Sequence, residues 1–316
     1  MKIQLLLLAL VSCSISPETQ VRDFVMRHKQ ELGIQSEVKI ESLKGGLSKD
    51  FVCKINNSII IKQFTKDENL KQMILCQNRA AELNIAPRII LVKDRIIAME
   101  YIKGSHLPHD KRTIPLLADL LKKLHKISTQ GVEDSKTATY KLANIIEAQV
   151  NKLKIRNFDS LIMSKMEKVV VLAGSLKREK MVFSHNDVNG GNIFFKDNHL
   201  WLIDFVEGLN DPFYDLASAA SWNFLSEKPK LKFLETYLGR KATKEEKQHF
   251  KNLQYITKTM VAVFLFHMAL DKGIKQNSEE FTLAEFFIKL GSGEKLIYKP
   301  EHMFQFAIAI MDSVKL

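Results

Sequence analysis

The segment FSHNDVNGGNIFFKDNHLWLIDF, residues 183–205, holds polar side chains around two short apolar runs. Because a tight hairpin brings its own ends together, the side chains of Asp187, Asn192 and Asp204 are expected to face one point. One amide and one carboxylate oxygen suit Mg²⁺, which takes its other ligands from water and substrate phosphates. We therefore predict Asn192 and Asp204 as metal ligands, and Asp187 as the base that deprotonates a hydroxyl nucleophile.

This set is the one that phosphoryl transfer uses, and phosphoryl transfer also needs a lysine on a strand and a phosphate-binding loop. Lys62 ends a run of isoleucines in SIIIKQF, and we predict that it contacts nucleotide phosphates. Gly45, Gly46 and Ser48 lie between two predicted strands and can offer backbone N–H groups and a hydroxyl to a phosphate. Each element alone fits an edge lysine or an ordinary turn, but their order together favours a phosphotransferase.

Several motifs resemble one superfamily. HNDVNGGN resembles the H-x-D-x-x-x-x-N signature of the aminoglycoside phosphotransferases and choline/ethanolamine kinases, which are relatives of protein kinases. LIDF resembles their metal-binding strand, GGLS their phosphate loop, MEYIKG their hinge and LADLLKKLH the helix after it. NDPFYDLAS, with Asp211 and Asp215, resembles the segment that supports the site from below. The resemblance implies ATP and Mg²⁺ as cofactors and adenine contacts from the backbone of Glu100, Tyr101 and Ile102.

The sequence departs from that family at two places. The helix after Lys62, LKQMILCQ, has no glutamate where the family places the lysine's partner, and Glu68 lies nearer the helix start. Choline kinases commonly have a glutamate two residues after the metal aspartate, where this chain has Val206, with Glu207 following. Glu207, Asp211 and Trp222 are our candidate substrate-binding residues, and IDFVEGLNDPFYDLA is closest to the bacterial choline kinases.

The periodicity of the sequence predicts an α+β fold with two lobes, and the resemblance implies that this fold is like that of a protein kinase. Short β-rich runs and one helix follow an initial helix that starts at Pro17, and helical patterns dominate after Gly104. We predict an apolar N-terminal segment (1–16), a nucleotide-binding N-lobe with an antiparallel sheet (17–101), and a larger, mainly helical C-lobe (102–316) that carries the catalytic residues.

Composition and the N-terminus bear on partners and location. The net charge is +11, but the basic residues are not interleaved with aromatic ones, so we expect no nucleic-acid partner. MKIQLLLLALVSC resembles a short signal with a lipoprotein-like cleavage box at Cys13, which would tether the protein to a membrane. Because ATP chemistry and three unpaired cysteines suit the cytosol, we expect a cytoplasmic protein.

The leading hypothesis is an ATP- and Mg²⁺-dependent kinase of a small, hydroxylated, cationic metabolite. Choline or ethanolamine is the preferred acceptor, and thiamine, an aminoglycoside or a sugar remain alternatives. Because the helix glutamate is absent, a non-catalytic nucleotide-binding module is a second hypothesis from a different class.

Overall fold

The structure is a computed structural model that describes residues 16–43, 50–65, 70–107, 112–156, 158–178, 180–206, 208–224, 226–274, 282–285 and 299–316. The chain divides into two compact units, one comprising 1–70 and 88–102, the other 71–87 and 103–316. The chain passes from the first unit to the second near residue 102, and residues 71–87 group with the second unit. The predicted α+β class is confirmed, with an antiparallel sheet in the first unit and mainly helices in the second.

The first unit consists of one helix and a five-stranded antiparallel sheet of order β1-β2-β3-β5-β4. Its elements are α1 (Pro17–Arg27), β1 (Ile40–Ser42), β2 (Phe51–Ile55), β3 (Ile59–Gln63), β4 (Ile89–Lys93) and β5 (Ile96–Glu100). The Ser16 hydroxyl accepts a hydrogen bond from the Thr19 N–H and caps α1, and Pro17 fills the first helical position, as their order in the sequence predicts.

The core of the first unit lies between α1 and one face of the sheet. Cys53, Ile61 and Ala98 are paired across β2, β3 and β5, so their side chains point to the same face, where they pack with Phe24 and Val25. Lys62, paired with Val52 and Ile97, therefore points to the other face of the sheet.

The second unit is built from helices and two small sheets. Its elements are α2 (Leu70–Glu82, all but its first residue), β6 (Ser105–His106), α3 (Thr113–Leu124), a 3₁₀ turn (Thr139–Lys141), α4 (Leu142–Lys154), α5 (Ser160–Gly174), β7 (Val182–Phe183), β8 (Ile193–Lys196), β9 (His199–Leu202), β10 (Leu209–Asn210), α6 (Pro212–Asn223), α7 (Glu227–Leu238), α8 (Lys244–Asp271) and α9 (Pro300–Asp312). A capping box is present at the start of α8, where Thr243 and Glu246 are hydrogen-bonded reciprocally.

Helix α8 is the central helix of the second unit. Among the described residues it is the one helix long and apolar enough to cross a membrane, and 67% of its most apolar window is buried inside the protein. Helices α6 and α9 pack along it. The rings of Phe266 and Phe304 meet edge to face, with their centres 5.1 Å apart. Burial in the core therefore accounts for its apolar composition.

The two small sheets hold the segment that carries the polar motif. β7 pairs with β10, and β6-β8-β9 form an antiparallel sheet in which β8 and β9 are the predicted hairpin. Its turn residues Asp197 and Asn198 have φ of 51° and 58°, as a tight hairpin turn requires. We name residues 184–192, between β7 and β8, the polar loop.

Candidate active site

The β8–β9 hairpin brings Asn192 next to the end of β9. Ile193 pairs with Leu202, and one step further the Ile203 N–H donates to the Asn192 carbonyl at 3.0 Å. Asp204 follows directly, with a left-handed φ of 57°. A non-glycine residue in this region is uncommon and costs about 1 kcal/mol or more, and such residues cluster at functional sites.

Two side-chain amides hold the carboxylate of Asp187. Asn189 donates to Oδ1 at 2.9 Å, and Asn192 donates to Oδ2 at 2.8 Å and to the Asp187 carbonyl at 3.0 Å. Asn189 is itself fixed, because its oxygen accepts the Gly191 N–H at 2.8 Å. The carboxylate thus has one orientation, and Asn189 is a site residue that the sequence analysis did not single out.

His185 ties the polar loop to the chain that carries Asp204. Its side chain is fully buried, its Nε2 donates to the Ile203 carbonyl at 2.8 Å, and its Nδ1 accepts the Asp187 N–H at 3.2 Å. A backbone N–H can only donate, so Nδ1 carries no proton and the ring is the neutral Nε2–H form. His185 is therefore a hydrogen-bonded scaffold residue of the polar loop.

Asp215 on α6 supports the polar loop from below. Its fully buried carboxylate accepts the N–H groups of His185 and Asn186, each at 2.8 Å, and His125 donates to it from Nε2 at 3.2 Å. The Tyr237 hydroxyl lies 2.8 Å from Nδ1 of His125 and completes the chain. Because a buried carboxylate is costly unless it is paired, this network fixes the backbone immediately before Asp187.

A second buried network holds the other side of the polar loop. Asn186, with φ of 66°, donates its side-chain amide to the Val206 carbonyl at 2.7 Å and the Gly208 carbonyl at 3.1 Å. The Asn210 amide donates to the Asn186 oxygen at 2.8 Å. Gly208 is required here, since it has φ of 123° and a Cβ would lie 2.4 Å from the Ser135 Cα.

The charges of the site affect the tyrosines packed beneath it. Burial raises the pKa of Tyr214 well above its usual value, and the negative charges of Asp187 and Asp215 act in the same direction. Burial also raises the pKa of Tyr237 to about 12, with Asp215 and Asp211 contributing. Both phenols therefore stay protonated at neutral pH and can act as hydrogen-bond donors.

The residues present fit a magnesium ion. Both hydrogen bonds of the Asn192 side chain to Asp187 use its nitrogen, so its oxygen points away from Asp187. The described residues contain no cluster of three or more His, Cys, Asp or Glu side chains that could bind a metal alone. One amide and one carboxylate, such as those of Asn192 and Asp204, are the kind of donors that suit an ion which takes its other ligands from water and substrate oxygens.

The three candidate substrate residues are placed differently. Asp211 caps α6 through the Phe213 N–H and accepts His249 Nε2 at 2.6 Å. Trp222 is partly buried, with its ring 6.4 Å from that of Phe306. Glu207 lies outside the described residues. A role in substrate binding stays a prediction for all three residues.

The residues predicted to bind the nucleotide belong to the first unit. Lys62 lies on β3 with its Nζ 3.8 Å from Asp50 Oδ2. The Glu100 carboxylate accepts the Arg88 Nε at 2.7 Å, and the Tyr101 N–H donates to the Ser58 carbonyl at 3.0 Å. Burial, the largest single effect, raises the pKa of Glu100. The hydrogen bonds and positive charge of Arg88 together outweigh burial, so the pKa of Glu100 lies below its usual value.

Part of the predicted nucleotide site cannot be placed. Gly45, Gly46 and Ser48 lie outside the described residues, as does the N-terminal segment with Cys13. Ile102, the last of the predicted hinge residues, follows Tyr101 directly at the end of the first unit. Adenine contacts by Glu100, Tyr101 and Ile102 stay a prediction.

Comparison with known proteins identifies the family of this chain. Residues 43–248 match the model of a family described as the phosphotransferase enzyme family, APH. No curated protein sequence matches the chain significantly.

Solved structures share the fold at low sequence identity. A choline/ethanolamine kinase family protein from Mesorhizobium loti is 15% identical, with a TM-score of 0.64 over 93% of this chain and 99% of that one. The choline kinase LicA in complex with AMP is 18% identical, with a TM-score of 0.57 over 92% and 98%. A GDP complex of aminoglycoside 2′-phosphotransferase-IIIa is 10% identical, with a TM-score of 0.64 over 92% and 96%.

Proposed function

Because this chain belongs to the phosphotransferase enzyme family, we propose that it transfers the γ-phosphate of ATP to the hydroxyl of a small cationic metabolite, with choline or ethanolamine as the preferred acceptor. The chain is a phosphotransferase that acts on hydroxyl groups, and its fold is that of small-molecule kinases. The nucleotide, the metal ion and the acceptor are the parts that we propose.

The observation that carries the proposal is the fixed carboxylate of Asp187. Asn189 and Asn192 each donate to one of its oxygens, and His185 bonds the backbone N–H of the same residue. A carboxylate oxygen has two lone pairs, so each oxygen can still accept a proton from an acceptor hydroxyl. Asp187 is thus proposed to orient and deprotonate that hydroxyl during attack on the γ-phosphate.

Asn192 and Asp204 are proposed to hold Mg²⁺, which supplies charge neutralisation at the phosphates when it is bound. The hydrogen bond from the Ile203 N–H to the Asn192 carbonyl keeps the two ligands adjacent in the hairpin. The same amide of Asn192 therefore connects the base to the metal-binding group.

Lys62 is proposed to contact the phosphates of the nucleotide. The backbone N–H groups of Gly45 and Gly46 and the hydroxyl of Ser48 are proposed to contact them as well. Glu100, Tyr101 and Ile102 are proposed to contact adenine. Since ATP is a cytosolic substrate, the proposal implies a cytoplasmic protein.

The preference for choline or ethanolamine rests on the resemblance of the segment after Asp204 to that of the bacterial choline kinases. The structural neighbours include choline kinases and an aminoglycoside phosphotransferase at 10–18% identity, so they support the class of reaction and leave the acceptor to experiment. Thiamine, an aminoglycoside or a sugar is the alternative acceptor.

An ADP-release assay with purified protein and Mg·ATP tests the proposal over choline, ethanolamine, thiamine, an aminoglycoside and a hexose. We expect release that depends on choline or ethanolamine. Release with another acceptor only would overturn the substrate assignment. Binding of Mg·ATP without ADP release on any acceptor would favour a non-catalytic nucleotide-binding module over a kinase. Absence of Mg·ATP binding would refute ATP as the nucleotide.

A further inference from the structure

Lys62 has an acidic neighbour on its own sheet. Its Nζ lies 3.8 Å from Oδ2 of Asp50, the residue that immediately precedes β2. Val52 pairs with Lys62 across β2 and β3, so Asp50, two residues before Val52, lies on the same face and diagonal to Lys62. The register of β2 and β3 therefore brings the two charges together.

Asp50 is held in place by its second oxygen. Oδ1 accepts the backbone N–H of Thr65 at 3.1 Å and lies 3.4 Å from the Thr65 hydroxyl. This leaves Oδ2 directed at Lys62. The Lys62 Nζ also lies 5.1 Å from the centre of the Phe64 ring, a cation–π distance that restricts the same ammonium.

The pair is largely withdrawn from water. Both side chains are 16% exposed, so their attraction is screened less than that of a surface ion pair. Because Asp50 is already fixed by Thr65, little side-chain entropy is lost when it faces Lys62. Both conditions favour a carboxylate that can hold a lysine in position.

Helix α2 follows Lys62 in the chain but carries no acid before its last residue, Glu82. We propose that Asp50 is the positioning residue of Lys62 and supplies the carboxylate that residues 70–81 of α2 lack. The inference rests on the proposed function, in which Lys62 contacts nucleotide phosphates. Asp50 directly follows the segment that holds Gly45, Gly46 and Ser48, so one residue links the predicted phosphate loop to the phosphate-contacting lysine.

The test is a double-mutant cycle between Asp50 and Lys62. Asp50→Asn keeps an oxygen that can accept from Thr65 but removes the charge that faces Lys62. Lys62→Met removes the ammonium, and the double variant closes the cycle. Glu41→Gln is the matched control, since Glu41 pairs with Lys54 at 2.9 Å on the same sheet and has no proposed role.

We expect Asp50→Asn to lower kcat/KM for ATP about tenfold, a typical coupling for charges in contact. In the Lys62→Met background the same change is expected to have less than a twofold effect, while Glu41→Gln stays within twofold of the wild type. Thermal unfolding midpoints show that each variant is folded.

Three results would overturn the inference: equal effects of Asp50→Asn with and without Lys62, an effect below twofold in the wild-type background, or the same loss from Glu41→Gln. The proposed function fails separately, because its failure would appear in the wild-type protein as absent Mg·ATP binding or absent ADP release.

Discussion

Asn192 donates one side-chain N–H to Oδ2 of Asp187 at 2.8 Å and another hydrogen bond to the backbone carbonyl of the same residue at 3.0 Å. One amide thus orients the candidate base from both its side chain and its backbone, and presents its own oxygen in the opposite direction. In the proposed function, this arrangement would couple proton acceptance by Asp187 to metal binding by Asn192 within a single loop.

Asn189 is expected to be a positioning residue for Asp187. Asn189→Ala removes the donor to Asp187 Oδ1 and the acceptor for the Gly191 N–H, so the carboxylate gains freedom. We expect kcat to fall about tenfold, with KM for ATP nearly unchanged, as for an interaction used in the transition state. Steady-state kinetics of Asn189→Ala checks this. The control variant is Asn198→Gly, which changes a residue of the hairpin turn that has φ of 58°. A kcat within twofold of the wild type would show that Asn192 alone is sufficient.

Asp215→Asn is expected to destabilise the protein. The substitution removes the buried charge that accepts from His185 and Asn186 and turns an amide N–H₂ towards one of those donors. We expect a loss of about 3 kcal/mol in the free energy of unfolding, measured by urea titration. Asp119→Asn, which loses only a surface contact to Lys122 at 3.9 Å, should change it by less than about 0.5 kcal/mol. Similar values for both variants would contradict the supporting role of Asp215.

Gly208 and Gly239 allow a comparison of two left-handed glycines. At Gly208 an added Cβ meets the Ser135 Cα at 2.4 Å, whereas at Gly239, with φ of 72°, nothing lies within 4 Å. Gly239→Ala should therefore cost only the conformational penalty of about 1 kcal/mol. Gly208→Ala adds a steric clash with backbone, and we expect a loss of more than about 2 kcal/mol in unfolding free energy. The prediction is wrong if the two losses are equal.

Lys258 should make stability depend on pH. Its side chain is 5% exposed and its Nζ donates to the Ser313 hydroxyl at 3.1 Å. Burial lowers its pKa from 10.5 to about 8, with the nearby charge of Lys230 acting the same way and Glu227 opposing. Between pH 8 and 10.5 the unfolded chain binds a proton that the folded chain does not, so stability rises with pH across this window.

Lys258→Met removes this linkage. The free energy of unfolding of the variant should exceed that of the wild type by the largest amount at pH 7, below the folded pKa. This difference should shrink by about 3 kcal/mol as pH rises towards 10.5. Urea unfolding at a series of pH values measures it, with Lys251→Met, an exposed position on the same helix, as the control. A difference that does not change with pH would contradict the lowered pKa.

The sequence predicted the parts of the site that local rules determine. The alternation of apolar residues and the turn at Asp197 and Asn198 define a hairpin, and a hairpin must bring Asn192 close to the chain that ends at Asp204. Asp187 lies only five residues before Asn192, with Gly190 and Gly191 between them, so the proximity of the two side chains follows from a short loop. The strands of the first unit were predicted for the same reason.

Contacts between distant residues were not predicted. His125, at the end of α3, contacts Asp215, and Tyr237 on α7 contacts His125, but no local pattern marks these residues as partners. The pairing of Lys62 with Asp50 depends on strand register, which the sequence left open. Asn189 lies inside the motif, but its hydrogen bond to Asp187 depends on the exact turn of the loop.

The rate of ADP release by Asp187→Asn, at saturating Mg·ATP and acceptor, tests the central claim most directly. The account predicts a loss of about a thousandfold, as for removal of a general base, with the dissociation constant for Mg·ATP and the thermal midpoint close to the wild-type values. An Asp187→Asn protein that binds Mg·ATP normally and keeps its rate within tenfold of the wild type would contradict it.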